Sequence, residues 1–269
     1  MSIPVRILQL SDPHLLADPR GRYRERCPLA LLRYGLAEAL RQLAAAGTPP
    51  DLLLLSGDLC QDESWGGYTH LRDVLEPLLL PVAVLAGNHD HTHLLRAVLG
   101  SHATLAPALL PLGGWRLLLL ESHRPGRTEG WLGEAQLAWV ERVLEEPAGE
   151  GGEPLLVAVH HPPLPIGSAT MDPIGLRDGA RLIELLQRSS RVRGLVFGHV
   201  HQHWLGFLPG RPDLPLLGCP STLCSFAAVQ PCPLGRSDDP GGRLLELAAQ
   251  GEIRQRLLRW ALPDRPTFF

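Results

Sequence analysis

Apolar residues recur along the chain in runs of strand length: Val5–Leu10, Leu52–Leu55, Val82–Ala86, Arg116–Leu120, Leu155–Val159, Leu195–Phe197 and Leu214–Leu217, many of them bounded by Gly or Pro. Such runs predict buried strands. Between them lie segments of helical period. Ala30–Ala45 puts Leu32, Leu36, Ala39, Leu40 and Leu43 on one face, and Glu134–Leu144 does the same with Leu137, Val140 and Leu144. Ser64, Thr92 and Asp178 stand where the N-caps of further helices are expected. The alternation predicts an α/β fold. After Leu214 the helices thin out, and Arg243–Leu247, a turn at Gln250–Gly251 and Ile253–Leu262 predict a closing antiparallel hairpin, so the sheets are mixed. The polar stretches Glu145–Pro154 and Arg236–Gly242 read as surface loops. With no repeat and no dividing linker, residues 1–269 are expected to form a single domain, with about 214–269 as its strand and loop closure.

The polar residues just past each strand carry the chemistry. Ser11-Asp12-Pro13-His14 comes after the first run, Ser56-Gly57-Asp58 after the second and Gly87-Asn88-His89-Asp90 after the third; His160-His161-Pro162-Pro163 and Gly198-His199-Val200-His201 come after two later ones. In parallel sheets the carboxyl ends of strands converge on one crevice, so these side chains would meet although they are distant in sequence. Asp and His with one Asn offer hard oxygen and borderline nitrogen donors without a thiolate, which suits Mn, Fe, Zn or Co in a two-metal site. Two such ions need a shared carboxylate, a role open to Asp58, while a neutral Asn on one ion leaves it the stronger Lewis acid toward a phosphate oxygen.

Composition narrows the choices. The 269 residues are 45% hydrophobic and 20% charged, enough for one sizeable core, and every basic residue is arginine. Without lysine there is no Walker-type phosphate loop, kinase lysine or Schiff base. The formal net charge of -3 gives no bulk reason to bind nucleic acid. Cys27, Cys60, Cys219, Cys224 and Cys232 are odd in number and contain no Cys-x-x-Cys, which fits free thiols rather than a disulfide or zinc scaffold. Residues Met1–Leu10 lack a basic leader, and the longest apolar run, Leu78–Ala86, is half a membrane span. A cytoplasmic protein with no membrane partner is expected.

The set Asp12-x-His14, Gly57-Asp58, Gly87-Asn88-His89-Asp90, His160 and Gly198-His199-x-His201 resembles the full motif set of the calcineurin-like metallophosphoesterases. The strings Leu10-Ser11-Asp12-Pro13-His14-Leu15, Gly57-Asp58-Leu59-Cys60-Gln61-Asp62, His160-His161-Pro162-Pro163-Leu164-Pro165 and Cys219-Pro220-Ser221-Thr222 are similar to those of the bacterial class III cyclic-AMP phosphodiesterases. The resemblance implies a four-layered α/β/β/α sandwich of two mixed sheets flanked by helices. It implies a first metal held by Asp12, His14 and His201, a second by Asn88, His160 and His199, and Asp58 shared by both, with Fe or Mn foremost and Zn or Co as alternatives. His89 becomes the catalytic acid, and His14, Asp58, Asn88, His89 and His201 the substrate contacts. The implied reaction is attack of a metal-bridging hydroxide on 3′,5′-cyclic AMP, giving 5′-AMP as His89 protonates the leaving 3′ oxygen. A small cyclic nucleotide is then the partner, and a homodimer is compatible with the sequence.

The same motifs admit a broad phosphoesterase acting on other nucleotides or phosphodiesters, and a non-catalytic scaffold, against which the intact donor set argues. Of the remaining histidines, His161 is expected to point away from the metals, His203 to sit on a loop rim, and His91 and His93 to lie at a helix start; His70, His102 and His123 carry no signal. The arginine-rich loop 19–26, next to the first ligand pair, reads as a solvated segment, with steering of an anionic nucleotide or stacking on adenine as the alternative, and 168–178 reads either as an ordinary strand-to-helix loop or, by the resemblance, as a segment covering the base.

Overall fold

The computed structural model describes residues 3–146 and 152–261, so part of the expected loop at 145–154 and the end of the last hairpin at Leu262 lie outside the described residues. Among them, twelve strands form two six-stranded sheets. The first sheet contains β1 (Val5–Leu10), β2 (Leu52–Ser56), β3 (Val82–Leu85), β4 (Thr104–Leu105), β11 (Gly241–Leu247) and β12 (Ile253–Arg259), in the order β12-β11-β1-β2-β3-β4. The second contains β5 (Ala108–Leu112), β6 (Trp115–Leu119), β7 (Leu155–Val159), β8 (Val192–Phe197), β9 (Trp204–Leu208) and β10 (Arg211–Gly218), in the order β5-β6-β7-β8-β10-β9. β1 to β4 are parallel, as are β6, β7, β8 and β10, while antiparallel strands border each block. Both sheets are mixed, as the sequence suggests.

Period-two alternation in the strands explains the layering. On β1, Leu8 and Leu10 face a core shared with α1 (Pro28–Ala45), α2 (Trp65–Leu75) and α3 (Thr92–Leu99). Ile7 faces the other way, into a core with Leu54, Leu85, Leu117, Leu119 and Val196 that lies between the sheets. A third core packs the second sheet against α4 (Glu134–Glu145) and α5 (Gly179–Arg188). Three apolar layers separate four layers of backbone, which is the α/β/β/α arrangement.

Helix starts depart from expectation in two places. Ser64 does cap α2, its side chain accepting from Gly67 N at 3.0 Å. Thr92 does not cap α3: it is the first helical residue, and the imidazole of His91 accepts from Leu94 N instead. Asp178 precedes α5 but its side chain does not cap it, because the carboxylate is taken by Leu132 N (3.1 Å) and Gly133 N (2.8 Å) at the start of α4.

Candidate binuclear metal centre

The central parallel strands of both sheets end at one place. Beyond β1 and β2 the two loops stay zipped together, with Asp12 N donating to Gly57 O, His14 N to Asp58 O, Leu15 N to Leu59 O and Gln61 N to Leu15 O at 2.8–3.0 Å. Backbone conformation then aims the side chains. Asp12, His14, Asp58, His199 and His201 all have φ between 48° and 66°, a left-handed region where Asp and His are among the more tolerated non-glycine residues and where strain concentrates at functional sites. Gly57 (φ 102°) and Gly87 precede ligand positions for a steric reason: a Cβ on Gly57 would overlap the His160 ring, and one on Gly87 would overlap Asp58.

Asp12, His14, Asp58 and His201 bring donor atoms within 4.8 Å of one another, and a second group joins His160 and His199, with His161 alongside. Asp58 stands between the groups, with Oδ2 3.9 Å from His14 Nε2 and Oδ1 3.5 Å from His160 Nε2. The hydrogen bonds fix which nitrogens face inward. Nδ1 of His14 meets Gln61 Oε1 (2.7 Å), Nδ1 of His160 meets the Ser56 carbonyl (2.7 Å) and Nδ1 of His201 meets the Cys224 carbonyl (3.0 Å). Those oxygens only accept, so each Nδ1 carries a proton and each Nε2 is the nitrogen turned toward the cluster. His14 Nε2 and His201 Nε2 are 3.1 Å apart, too close for two bare lone pairs unless a proton or a cation is shared there. Asn88 Oδ1, His160 Nε2 and His199 Nε2 are buried and without a hydrogen-bond partner, a costly condition that metal coordination would relieve. The donor set therefore fits two ions, one on each side of Asp58.

Electrostatics agree. Burial, followed by the neighbouring imidazoles, depresses His199 well below its ordinary value. Burial also lowers His14 to about 4. Burial acts the same way on His201, but Asp12, with Oδ1 3.3 Å from its Nε2, outweighs it and pushes His201 up to about 10. Burial works upward on Asp58, yet His160, His14 and His89 hold its carboxyl well below the carboxylate range. A cation entering beside Asp12 must accordingly displace the proton on His201.

Six of the seven residues expected as ligands lie in these two groups, Asn88 Oδ1 is buried without a partner, and the backbone N of His89 donates to Asp58 Oδ1 at 2.9 Å. His161 touches the cluster but spends both nitrogens elsewhere, on Ser122 Oγ (2.8 Å) and the Thr128 carbonyl (3.1 Å). His203 corrects the sequence reading: it is buried rather than on a rim, and its Nδ1 accepts from the buried Arg243 at 3.2 Å. Sequence reasoning also missed the supports. Asp90 accepts from Leu59 N, Cys60 N, Gly87 N and Tyr68 Oη, tying the loops after β2 and β3 together. His123 bonds the Gly87 carbonyl through Nδ1 at 2.9 Å. Nothing in its spacing announced this, whereas Asp90 and Gln61 stood inside the motif strings. From loop 19–26, Tyr23 packs against His14 with ring centroids 5.2 Å apart, and Arg24 lies over Phe226, which stacks on His201 at 4.2 Å.

Two sheets whose strand ends share an Asp/His cluster of this kind define a metallophosphoesterase. The calcineurin-like phosphoesterase family model matches residues 5–203, and the chain belongs to that family. More particularly, it is 51% identical over 263 residues to a probable cyclic nucleotide phosphodiesterase of Synechococcus sp. (strain WH7803), covering 95% of this chain and 97% of that one. It is 34% identical over 265 residues to the 3′,5′-cyclic adenosine monophosphate phosphodiesterase CpdA of Escherichia coli (strain K12), covering 96% and 90%. A dimetal phosphatase from Danio rerio shares the fold, with a TM-score of 0.65 at 14% identity over 97% of this chain and all of that one.

Proposed function

We propose that the chain is a single-domain, two-metal phosphodiesterase that hydrolyses 3′,5′-cyclic AMP to 5′-AMP. The observation that carries the reading is the pair of donor groups with Asp58 between them, one carboxylate oxygen 3.9 Å from His14 and the other 3.5 Å from His160, in a chain half identical over nearly its whole length to a probable cyclic nucleotide phosphodiesterase. Asp12, His14 and His201 hold one ion, Asn88, His160 and His199 the other, and Asp58 both. Iron or manganese is the expected pair, with zinc and cobalt as alternatives that the same donors accept. When bound, the ions supply Lewis acidity toward phosphate and acidify water near neutral pH. The protein's own groups do the rest. The Asn88 amide and His89 bind the phosphate, and His89 delivers a proton to the 3′ oxygen as it leaves. His14, Asp58 and His201 border the bound phosphate. Five free cysteines fit a reducing cytoplasm, and no helix among the described residues is long and apolar enough to cross a membrane.

The test is a substrate panel of metal-reconstituted protein: cyclic AMP, cyclic GMP, an aryl phosphodiester and an aryl monoester. Cyclic AMP should show the highest kcat/KM, and a monoester preference would overturn the substrate while leaving the site. His89→Ala should reduce turnover by about 10²–10⁴, the usual worth of a general acid, with metal content unchanged. Unchanged turnover would remove His89 from its role.

A further inference from the structure

Gln61 lies between the two functional halves of the site. Its Oε1 meets His14 Nδ1 at 2.7 Å and its Nε2 meets His89 Nδ1 at 3.2 Å. The backbone holds it there, because Gln61 N donates to Leu15 O at the end of the zipped loops. An amide has one accepting end and one donating end, so the two bonds cannot be chosen independently. If His14 gives Nε2 to a metal, its Nδ1 must carry the proton and the Gln61 oxygen must turn toward it. The Gln61 NH₂ group then faces His89, and a donor facing Nδ1 requires that nitrogen to be bare.

We infer that Gln61 is a positioning residue that sets the tautomer of His89, holding its one ring proton on Nε2. The inference rests on the proposed roles of His14 and His89, and it specifies the state in which His89 works. A neutral imidazole donates Nε2–H to the 3′ oxygen. As the P–O3′ bond breaks, its electron pair goes to that oxygen, the Nε2 proton follows, and the ring recovers a proton from water. The Gln61 N–H remains on Nδ1 throughout and stabilises the electron density left on the ring, as a donor to a neutral catalytic imidazole does elsewhere. The metal ligand His14 and the acid His89 are in this way coupled through one amide: orienting the first orients the second.

The experiment is long-range ¹H–¹⁵N NMR of the imidazoles in the full chain loaded with diamagnetic Zn²⁺, the His89 signals being assigned by their loss in His89→Gln. In the unsubstituted protein His89 should show a protonated Nε2 and a bare Nδ1. Gln61→Glu keeps the shape and one oxygen for His14 Nδ1–H but sets a second acceptor opposite His89, so Nδ1 should gain a proton while zinc content stays at about two per chain. A proton on Nδ1 in the unsubstituted protein, or an unchanged His89 spectrum in Gln61→Glu, would overturn the inference. Failure to hydrolyse cyclic AMP would instead overturn the substrate and leave the spectrum to be judged by itself.

Discussion

The buried pair His203 and Arg243 makes a quantitative demand on acid stability. His203 is 7% exposed and Arg243 fully buried between the sheets; Arg243 donates to His203 Nδ1 at 3.2 Å and to the Gly218 carbonyl at 2.7 Å. Protonating His203 would break the first bond and add a cation beside Arg243 and Arg259. Burial first, and those two guanidiniums second, lower its pKa from 6.5 to about 4. A base whose folded value is depressed binds protons better unfolded, so its contribution is intact above about pH 6.5 and is lost as pH falls toward 4. With 1.36 kcal/mol per unit, the loss is roughly 2 kcal/mol at pH 5 and about 3 kcal/mol at pH 4. The comparison that isolates it is His203→Gln, whose amide oxygen still accepts from Arg243 but does not titrate. Urea denaturation of the chelator-treated proteins from pH 8 to pH 4 should show the unsubstituted chain losing that much more stability than the variant. Parallel curves would refute the burial and charge argument.

Chelation should lower the melting temperature, because both candidate donor groups lose the cation that relieves them. Restoring a metal to a hundredfold excess over its Kd should add about 2.7 kcal/mol, or on the order of 5–10 °C, to the melting point read by calorimetry. Asp58→Asn, altered where the groups meet, should respond more weakly, and an equal response would remove Asp58 from the site. Gly87→Ala should abolish bound metal, measured by plasma emission, since its Cβ would displace Asp58 and the His160 ring; retention of both ions would show that the close approach is not required.

The parts of the molecule legible in sequence are those that local pattern determines. Strands buried on both faces announce themselves as apolar runs, so β1 and β7 have the ends their composition suggests. β5 and β9 do not: the first carries Pro111 and is only partly buried, and the second alternates buried ends with the exposed Leu205 and Phe207. The donors were readable for the same reason as the strands, since each is fixed by the end of the run before it and parallel topology supplies the convergence. The layer of bonds that gives those donors their chemical state could not be read. Ser56 O reaches His160 across 104 residues, Cys224 O reaches His201, and His123 reaches the Gly87 carbonyl from the other sheet. Such partners have no spacing rule, because a carbonyl of any residue serves equally well.

His203 shows how that gap misleads. It shares its alternation with His199 and His201, yet in sequence it reads as a residue on the loop's rim. Arg243, on β11 of the opposite sheet, instead holds it in the interior. The chemistry of a histidine here depends on the group at its second nitrogen: a carbonyl holds a proton on Nδ1 of His160 and His201 and turns Nε2 inward, a guanidinium keeps His203 neutral, and the amide of Gln61 decides between the two ends of His89. Residue type places the imidazoles around the site, and the partner across the fold assigns each one its proton.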